Sequence, residues 1–370
     1  AQEASYADSL TVYPVRTLSE LINHLSGRKQ LVPCPPPPEP KPAEHDLDYA
    51  HVLGQHLVKR ALEVAAAGGH NVLLSGSPGS GKSMMAKRFS SILPPLSQDE
   101  RLDVIRVWSA VGRAQEAVER AERPFRAPHH SSSAAALAGG SGSPGRLPLP
   151  GEITLAHRGV LFLDELPEFG RSVLEVLRQP LEEKKIVVSR ARYSVEYPAN
   201  FTLVAAMNPC PCGYYNHPTK ECTCSPGSVH RYMGRISGPL MDRIDLHVEV
   251  TPVTPQELSA AAPGEASAAV RERVIRARAV QEARFGGVEG VHTNSMMNSA
   301  MLREYCRLDA ASAALLERAM ERLSLSARAY DRILKAARTI ADLAGRADIV
   351  QADIAEAINY RSLDRGNWGR

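Results

Sequence analysis

An apolar run followed at once by a glycine-rich octapeptide and a helix-forming segment restricts what this chain can fold into. The run NVLLS occupies residues 71–75, and GSPGSGKS occupies residues 76–83. The pattern G-x-x-x-x-G-K-[ST] allows a tight loop whose backbone N–H groups converge on phosphate oxygens. Lys82 adds a positive charge for the β- and γ-phosphates, and the Ser83 hydroxyl suits Mg²⁺. The predicted nucleotide-binding residues are Gly76, Ser77, Pro78, Gly79, Ser80, Gly81, Lys82, Ser83 and Met84.

Two further apolar runs end in polar residues that suit nucleotide hydrolysis. GVLFLDE at residues 159–165 places Asp164 to hold Mg²⁺ and Glu165 to polarise the attacking water. Asn208 ends the run FTLVAAMN, where it would lie beside the γ-phosphate and orient water. The alternatives are an acidic strand end that faces solvent and a turn-forming Asn before Pro209. We predict an ATPase with ATP and Mg²⁺ as cofactors.

The order of apolar and amphipathic segments predicts the fold class. Residues 46–250 alternate between them, which is typical of an α/β domain with a parallel sheet flanked by helices. Residues 267–370 show helical periodicity and predict a small all-helical lid domain, joined through a Pro/Ala/Gly-rich link at 251–266. The proline-rich segment 33–45 predicts a semi-rigid linker, or alternatively a recognition segment.

Residues 1–32 are too few to bury a core of their own. They predict a strand at residues 10–15 and a helix at residues 19–25. We expect them to be the end of a truncated domain, in a natural chain that begins earlier.

Charge, hydropathy and cysteine usage narrow the class of protein. The net charge is only +3, so binding to nucleic acid requires a local basic patch. No apolar run has the length of a membrane span, and nothing indicates a signal peptide. Six cysteines among 370 residues do not form a disulfide scaffold. A reducing, cytoplasmic location without a membrane partner is predicted.

Four of the cysteines lie in two CxC pairs within fifteen residues of chain. They are Cys210, Cys212, Cys222 and Cys224. Four thiolates so close together suit a closed tetrahedral Zn²⁺ site, which is structural rather than catalytic. Disulfides and an iron–sulfur cluster are the alternatives.

A basic hairpin is predicted before the strand that ends at Asn208. Residues 186–189 and 193–197 are strand-like, with Arg190 and Arg192 at the turn between them. Cations suit phosphate contacts, and a tyrosine offers a face for base stacking. The candidate DNA contacts are Lys184, Lys185, Arg190, Arg192 and Tyr193. A solvated hairpin tip is the plain alternative.

Several longer stretches resemble the ComM/YifB family of magnesium-chelatase-like AAA+ ATPases. They are PFRAPHHSSS (124–133), LPGEITLAHRGVLFLDELPEF (149–169), AAMNPCPCGYY (205–215), SGPLMDRIDLHVEV (237–250) and LSARAYDRILKAARTIADL (325–343). The resemblance implies a hexameric, ATP-driven ring that promotes DNA branch migration in recombination and natural transformation, with recombination proteins as candidate partners. It also implies that residues 1–32 are the remnant of a Lon-protease-like domain, and that the glycine-rich segment 138–145 faces the ring channel. Related clades place a hairpin like that at 184–198 in the same channel.

The same resemblance implies roles for two arginines. Arg243 matches an arginine finger, which reaches the ATP site of a neighbouring subunit and neutralises transition-state charge. Arg328 resembles the sensor-2 arginine that ties the lid to the γ-phosphate, with Arg332 as its competitor. Weak surface salt bridges are the alternative for all three. His129 and His130 lack an acidic or cysteine neighbour in sequence, so we interpret them as structural or close to ATP rather than metal ligands.

Two other functions remain open from sequence. One is the ATPase subunit of a metal chelatase, and the other is a protein-remodelling unfoldase. The arginines of the hairpin and the FRAPHH and NPCPCG segments favour the DNA motor.

Overall fold

The computed structural model of the chain describes residues 4–6, 10–35, 47–120, 122–140, 147–190, 193–217, 219–253, 264–361 and 363. Seven strands occur among these residues: β1 Val72–Gly76, β2 Phe125–Arg126, β3 Val160–Leu163, β4 Lys185–Arg190, β5 Tyr193–Pro198, β6 Thr202–Met207 and β7 Leu246–Val250. Five of them form a parallel sheet in the order β2-β3-β6-β1-β7, and β4 pairs with β5 in an antiparallel hairpin. The predicted α/β class, the central strands and the hairpin are confirmed.

The central strands are apolar throughout because both faces of the sheet are covered. Val72 and Leu74 of β1 join one buried cluster, and Leu73 between them joins another. The first cluster includes the helix His56–Gly68 and the lid helices. The second includes the short helices that precede the hairpin. Alternate residues of one strand therefore hold together two layers of helices.

The helices of the α/β domain in the described part of the chain are His56–Gly68, Lys82–Arg88, Gln98–Ser109, Ala114–Arg120, Ala134–Ala138, Glu152–Leu155, Arg171–Glu175, Arg178–Glu183, Pro226–Met233 and Gly238–Met241. Those of the lid are Ser267–Phe285, Ser299–Tyr305, Ala310–Leu323, Ala327–Leu343 and Gln351–Asn359. Short 3-10 helices occur at Ala4–Tyr6, Tyr49–His51, Phe89–Ile92, Leu166–Glu168 and Asn294–Met296. The all-helical lid is confirmed.

The described N-terminal residues differ from expectation in one respect. The predicted strand at residues 10–15 is wrong, because this segment pairs with no strand among the described residues. Its Val12 carbonyl accepts a hydrogen bond from the Cys34 amide at 2.7 Å, which does not make a ladder. The helix is present at Leu18–Leu25, with Thr17 and Glu20 forming a capping box.

Most of the two predicted linkers lies outside the described residues, at 36–46 and 254–263, so the domain boundaries stay predictions. Residues 141–145 of the glycine-rich segment 138–145 also lie outside the described residues, and its place in a ring channel stays a prediction. None of the helices in the described ranges combines the length and the apolar character that crossing a bilayer requires.

Candidate functional site

The phosphate-binding loop lies at the carboxyl end of β1, immediately before the helix Lys82–Arg88. Gly81 caps this helix with a φ of 92°, a left-handed conformation that costs glycine little. Ser77 and Ser80 are buried, and their hydroxyls have no hydrogen-bond partner among the described residues. Buried hydroxyls without partners cost free energy unless something binds them. The loop therefore has the donors of an anion cradle.

The Lys82 ammonium links the loop to the next strand of the sheet. Its Nζ donates to the carbonyl oxygens of Gly76 at 2.7 Å and Ser77 at 2.9 Å. It also donates to Asn208 Oδ1 at 3.1 Å. Burial lowers the pKa of Lys82, and the nearby Asp164 carboxylate opposes that shift. The structure thus brings Lys82, Asn208 and Asp164 to one edge of the sheet.

Two oxygen ligands that suit Mg²⁺ meet beside this lysine. The Ser83 hydroxyl donates to Asp164 Oδ2 at 2.6 Å, and Asp164 Oδ1 accepts from the Glu165 amide at 3.0 Å. Hydroxyl and carboxylate oxygens are the donors that Mg²⁺ prefers, together with phosphate. The residues present therefore fit a nucleotide with its Mg²⁺. Met84, at the next position of the loop sequence, is exposed.

Glu165 follows β3 directly, and its carboxylate contacts a histidine. His130 Nδ1 lies 3.0 Å from Glu165 Oε2. The His130 ring contacts the His129 ring in a tilted arrangement, with 4.1 Å between centroids, and meets Phe169 edge-on. β2 runs parallel to β3, so the segment after β2 emerges at the same edge. His130 lies beside the candidate catalytic carboxylate, where its contacts do not resemble a metal site.

Sequence reasoning missed a cleft next to the phosphate loop. Gln55 bridges its two sides, because its Nε2 donates to Thr251 O at 2.6 Å and to Ser80 O at 3.3 Å. The cleft encloses about 960 Å³ and is lined in part by Gly54, Gln55, His56, Val253, Gly264 and Val270. The Gly-Gln pair just before the first core helix is the sequence signal that marks this position.

The three candidate arginines lie at the other edge of the sheet. Arg243 precedes β7, which is parallel to β1, so it is remote from the phosphate loop of its own chain. Its guanidinium contacts Glu182 and donates to Pro239 O at 2.6 Å. Arg328 pairs with the Asp242 carboxylate at 3.1 Å, also before β7. The structure does not bring Arg243 or Arg328 to the γ-phosphate position of the same chain.

Arg332, the competitor of Arg328, has an ion-pair partner within its own chain. It forms an ion pair with the buried carboxylate of Asp245. The Arg328 side chain is 64% exposed and that of Arg332 is 23% exposed. Of the two competing lid arginines, Arg328 is therefore the one that a neighbouring molecule can reach.

The four clustered cysteines converge as predicted. Their sulfur atoms all lie within 4.8 Å of one another. Cys210 Sγ is 3.4 Å from Cys212 Sγ and 3.7 Å from Cys222 Sγ. All of them are free thiols. Four sulfurs at this separation are close enough to ligate one metal ion.

The candidate DNA contacts lie at different positions along the hairpin, from its base to the residues beside its turn. Lys184 lies at its base, where burial lowers the pKa of its ammonium and the Asp245 carboxylate opposes the shift. Lys185 begins β4 and pairs with Glu196 at 2.9 Å. Tyr193 begins β5 and is exposed. Arg192 lies outside the described residues, and of Arg190 only the backbone, paired with Tyr193, is described.

Two family models match the chain. Residues 48–258 match "Magnesium chelatase, subunit ChlI", and residues 264–361 match the C-terminal model of the same subunit. A more distant relative is the magnesium-chelatase 67 kDa subunit of Chlorobaculum parvum, which is 27% identical over 55% of this chain and 27% of its own length.

Two bacterial proteins match much more of the chain. The competence protein ComM of Haemophilus influenzae is 44% identical, over 99% of this chain and 70% of its own length. The uncharacterized protein YifB of Escherichia coli K12 is 45% identical, over 92% of this chain and 65% of its own length. The chain thus spans about two thirds of these relatives. With its α/β domain and helical lid, the chain belongs to the ComM/YifB family of magnesium-chelatase-like AAA+ proteins.

Proposed function

We propose that this chain is an ATP-hydrolysing subunit of a hexameric ring that moves DNA, acting in branch migration during recombination and natural transformation. The observation that carries the proposal is the meeting of Lys82, Ser83, Asp164, Glu165 and Asn208 at one edge of the sheet. Membership of the AAA+ class and the similarity to a protein named for competence support it.

Each residue has a distinct task in hydrolysis. Bound Mg²⁺ would neutralise charge on the β- and γ-phosphates, held by Ser83 and Asp164. Lys82 contacts the same phosphates, and Asn208 orients the attacking water. Glu165 accepts a hydrogen bond from that water and increases its nucleophilicity. The cleft beside Gln55 is the place for the base of the nucleotide.

The separation of the arginines from the phosphate loop supports a ring. A guanidinium in the transition state adds a charge that the loop alone does not supply. Arg243 and Arg328 present this charge on the edge opposite the loop, where a second subunit would meet it. A head-to-tail arrangement of subunits satisfies both edges at once and closes into a ring.

The hairpin is the surface we propose for DNA. It projects Lys185 and Tyr193 along one ribbon, and the sequence adds Arg190 and Arg192 at its turn. We propose Zn²⁺ for the four cysteines, a cytoplasmic location, and recombination proteins as further partners.

The test is the ATPase rate with and without single-stranded, duplex and branched DNA, with the particle mass in ATP measured by light scattering. We expect a hexamer whose rate rises with DNA. A hexamer whose ATPase rate does not change with any of these DNAs would contradict the proposed DNA motor and would favour the chelatase or unfoldase class instead.

Replacing Arg190 and Arg192 together with alanine tests the hairpin. Loss of two phosphate contacts should weaken DNA binding and flatten its salt dependence by about two units of slope. The matched control is Arg106→Ala combined with Arg120→Ala. It removes the same number of positive charges from two exposed arginines that lie on helices outside the hairpin. The rate without DNA reports whether the nucleotide site is intact. Unchanged DNA affinity would remove the hairpin from the proposal.

A further inference from the structure

The cysteine cluster is joined directly to the nucleotide site along the chain. Asn208 accepts a hydrogen bond from the Lys82 ammonium at 3.1 Å. Only Pro209 separates it from the buried Cys210. Because proline has a fixed φ, this link has little freedom to absorb a displacement of the cysteine.

A second contact joins the same cluster to the phosphate loop. Residues 210–213 form a turn closed by a hydrogen bond from the Gly213 amide to the Cys210 carbonyl at 3.0 Å. Gly213 has a φ of 85°, and a Cβ built there would lie 2.3 Å from Pro78 Cδ. Pro78 is the third residue of GSPGSGKS. The turn therefore packs on the phosphate loop so closely that only glycine fits.

The cluster has the chemistry of a zinc site. Zn–S bonds of about 2.3 Å in a tetrahedron separate the sulfurs by about 3.8 Å, close to the distances of 3.4 to 3.7 Å that join Cys210, Cys212 and Cys222. The Tyr215 amide donates to Cys210 Sγ at 3.3 Å, and the Cys212 amide donates to Cys224 Sγ at 3.4 Å. Such donors stabilise thiolates.

The loop that carries these thiols has little else to order it. No helix or strand occurs at residues 208–224 in the part of the chain that the structure describes. Three of the four cysteines are partly exposed. Metal ligation contributes folding free energy directly in such segments.

We propose that Zn²⁺ bound by Cys210, Cys212, Cys222 and Cys224 braces the phosphate loop through Gly213 and Pro78, and positions Asn208, so that zinc loading sets the affinity for ATP. The inference rests on the proposed ATP site. In this view the zinc site contributes to nucleotide binding and does more than stabilise a surface loop. Cys222 and Cys224 matter in it only as ligands, since the contact with the phosphate loop is made by Gly213.

The first test removes two ligands with Cys222→Ser and Cys224→Ser. Elemental analysis should find about one zinc per wild-type chain and almost none in the variant. Affinity for a fluorescent ATP analogue should fall about tenfold or more, because the supporting contacts are lost. Cys34→Ser, a thiol outside the cluster, is the control and should change neither value. Iron, or no metal, in the wild-type protein would overturn the zinc assignment.

The second test separates the metal from the contact. Gly213→Ala keeps all four cysteines but places a methyl group against Pro78, so zinc should remain while ATP affinity falls. Gly227→Ala has open space around its Cβ and should change neither. Two results would overturn the coupling. One is wild-type affinity for ATP in the zinc-free Cys222→Ser, Cys224→Ser variant, and the other is wild-type affinity for ATP in Gly213→Ala. Neither measurement involves DNA, and a wild-type chain that binds no ATP would contradict the proposed function instead.

Discussion

At the scale of single residues, Glu165 has a constrained position. Its backbone has a φ of 52°, an uncommon value for a residue with a side chain. His130 holds one carboxylate oxygen at 3.0 Å. The backbone conformation and the contact with His130 together position the carboxylate. Such pre-positioning suits a group that must meet a water at one point.

Glu165→Gln replaces this carboxylate by an amide of the same shape. We expect ATP binding to persist and the hydrolysis rate to fall by about 10² to 10⁴, since an amide does not accept the proton of the water. Single-turnover measurements and an ATP titration separate the two effects. Glu168→Gln, at a nearby exposed carboxylate paired with Arg235, should leave both unchanged. Normal turnover by Glu165→Gln would rule out this role.

Residues that follow an apolar run were predictable from sequence. Lys82, Asp164 and Asn208 end or follow buried strands, and strands of a parallel sheet end at one edge. The Gly-Gln pair marks the position of Gln55, but its contact was missed because its partner Thr251 is 196 positions away. The contact between His130 and Glu165 was missed for the same reason. The strand expected at residues 10–15 was wrong because extended propensity does not supply a partner.

At the scale of elements, the lid helix Ala327–Leu343 is anchored to the ends of two strands. Its Arg332 pairs with the buried Asp245, which also accepts from the Asn71 amide at 2.9 Å. His70 Nε2 lies 2.8 Å from Thr339 Oγ1 of the same helix. Burial alone would raise the pKa of Asp245, but Arg332 and His70 hold it below its ordinary value.

Asp245→Asn should reduce the free energy of unfolding by about 3 kcal/mol, because it leaves Arg332 without its charge partner. Asp242→Asn, in an exposed pair with Arg328, should cost about 0.5 kcal/mol. Urea unfolding measures both. Equal effects of the two changes would show that the buried pair does not anchor the lid.

The same pair predicts a dependence on pH. The pKa of Asp245 is lower in the folded chain than the unfolded value of about 4. Its stabilisation is therefore complete above pH 4 and is lost as the pH falls toward the folded pKa. The difference in stability between the wild-type chain and Asp245→Asn should therefore stay constant from pH 7 to about pH 5 and shrink as the pH falls below about 4.

At the scale of the whole molecule, the two halves of the proposed active site lie on opposite edges. The phosphate loop follows β1, and Arg243 precedes the parallel strand β7. One subunit would then hold half of two different sites. Arg243 also contacts Glu182 of its own chain, a contact that it must leave to reach a neighbour.

A mixing experiment tests this arrangement. Arg243→Ala and Lys82→Ala should each lower the ATPase rate by about 10³ or more when alone. In a one-to-one mixture, half of the phosphate loops are intact and half of those face an intact arginine, so about a quarter of the wild-type rate should return. A mixture as inactive as its components would place Arg243 in some other role.

The ion pair between Asp245 and Arg332 has a mechanical consequence. Asp245 is two positions after Arg243, and Arg332 is four positions after Arg328. One ion pair with a buried carboxylate therefore joins the two segments that carry the candidate arginines. A displacement of the lid helix would therefore also displace the start of β7, where Asp245 and Arg243 lie.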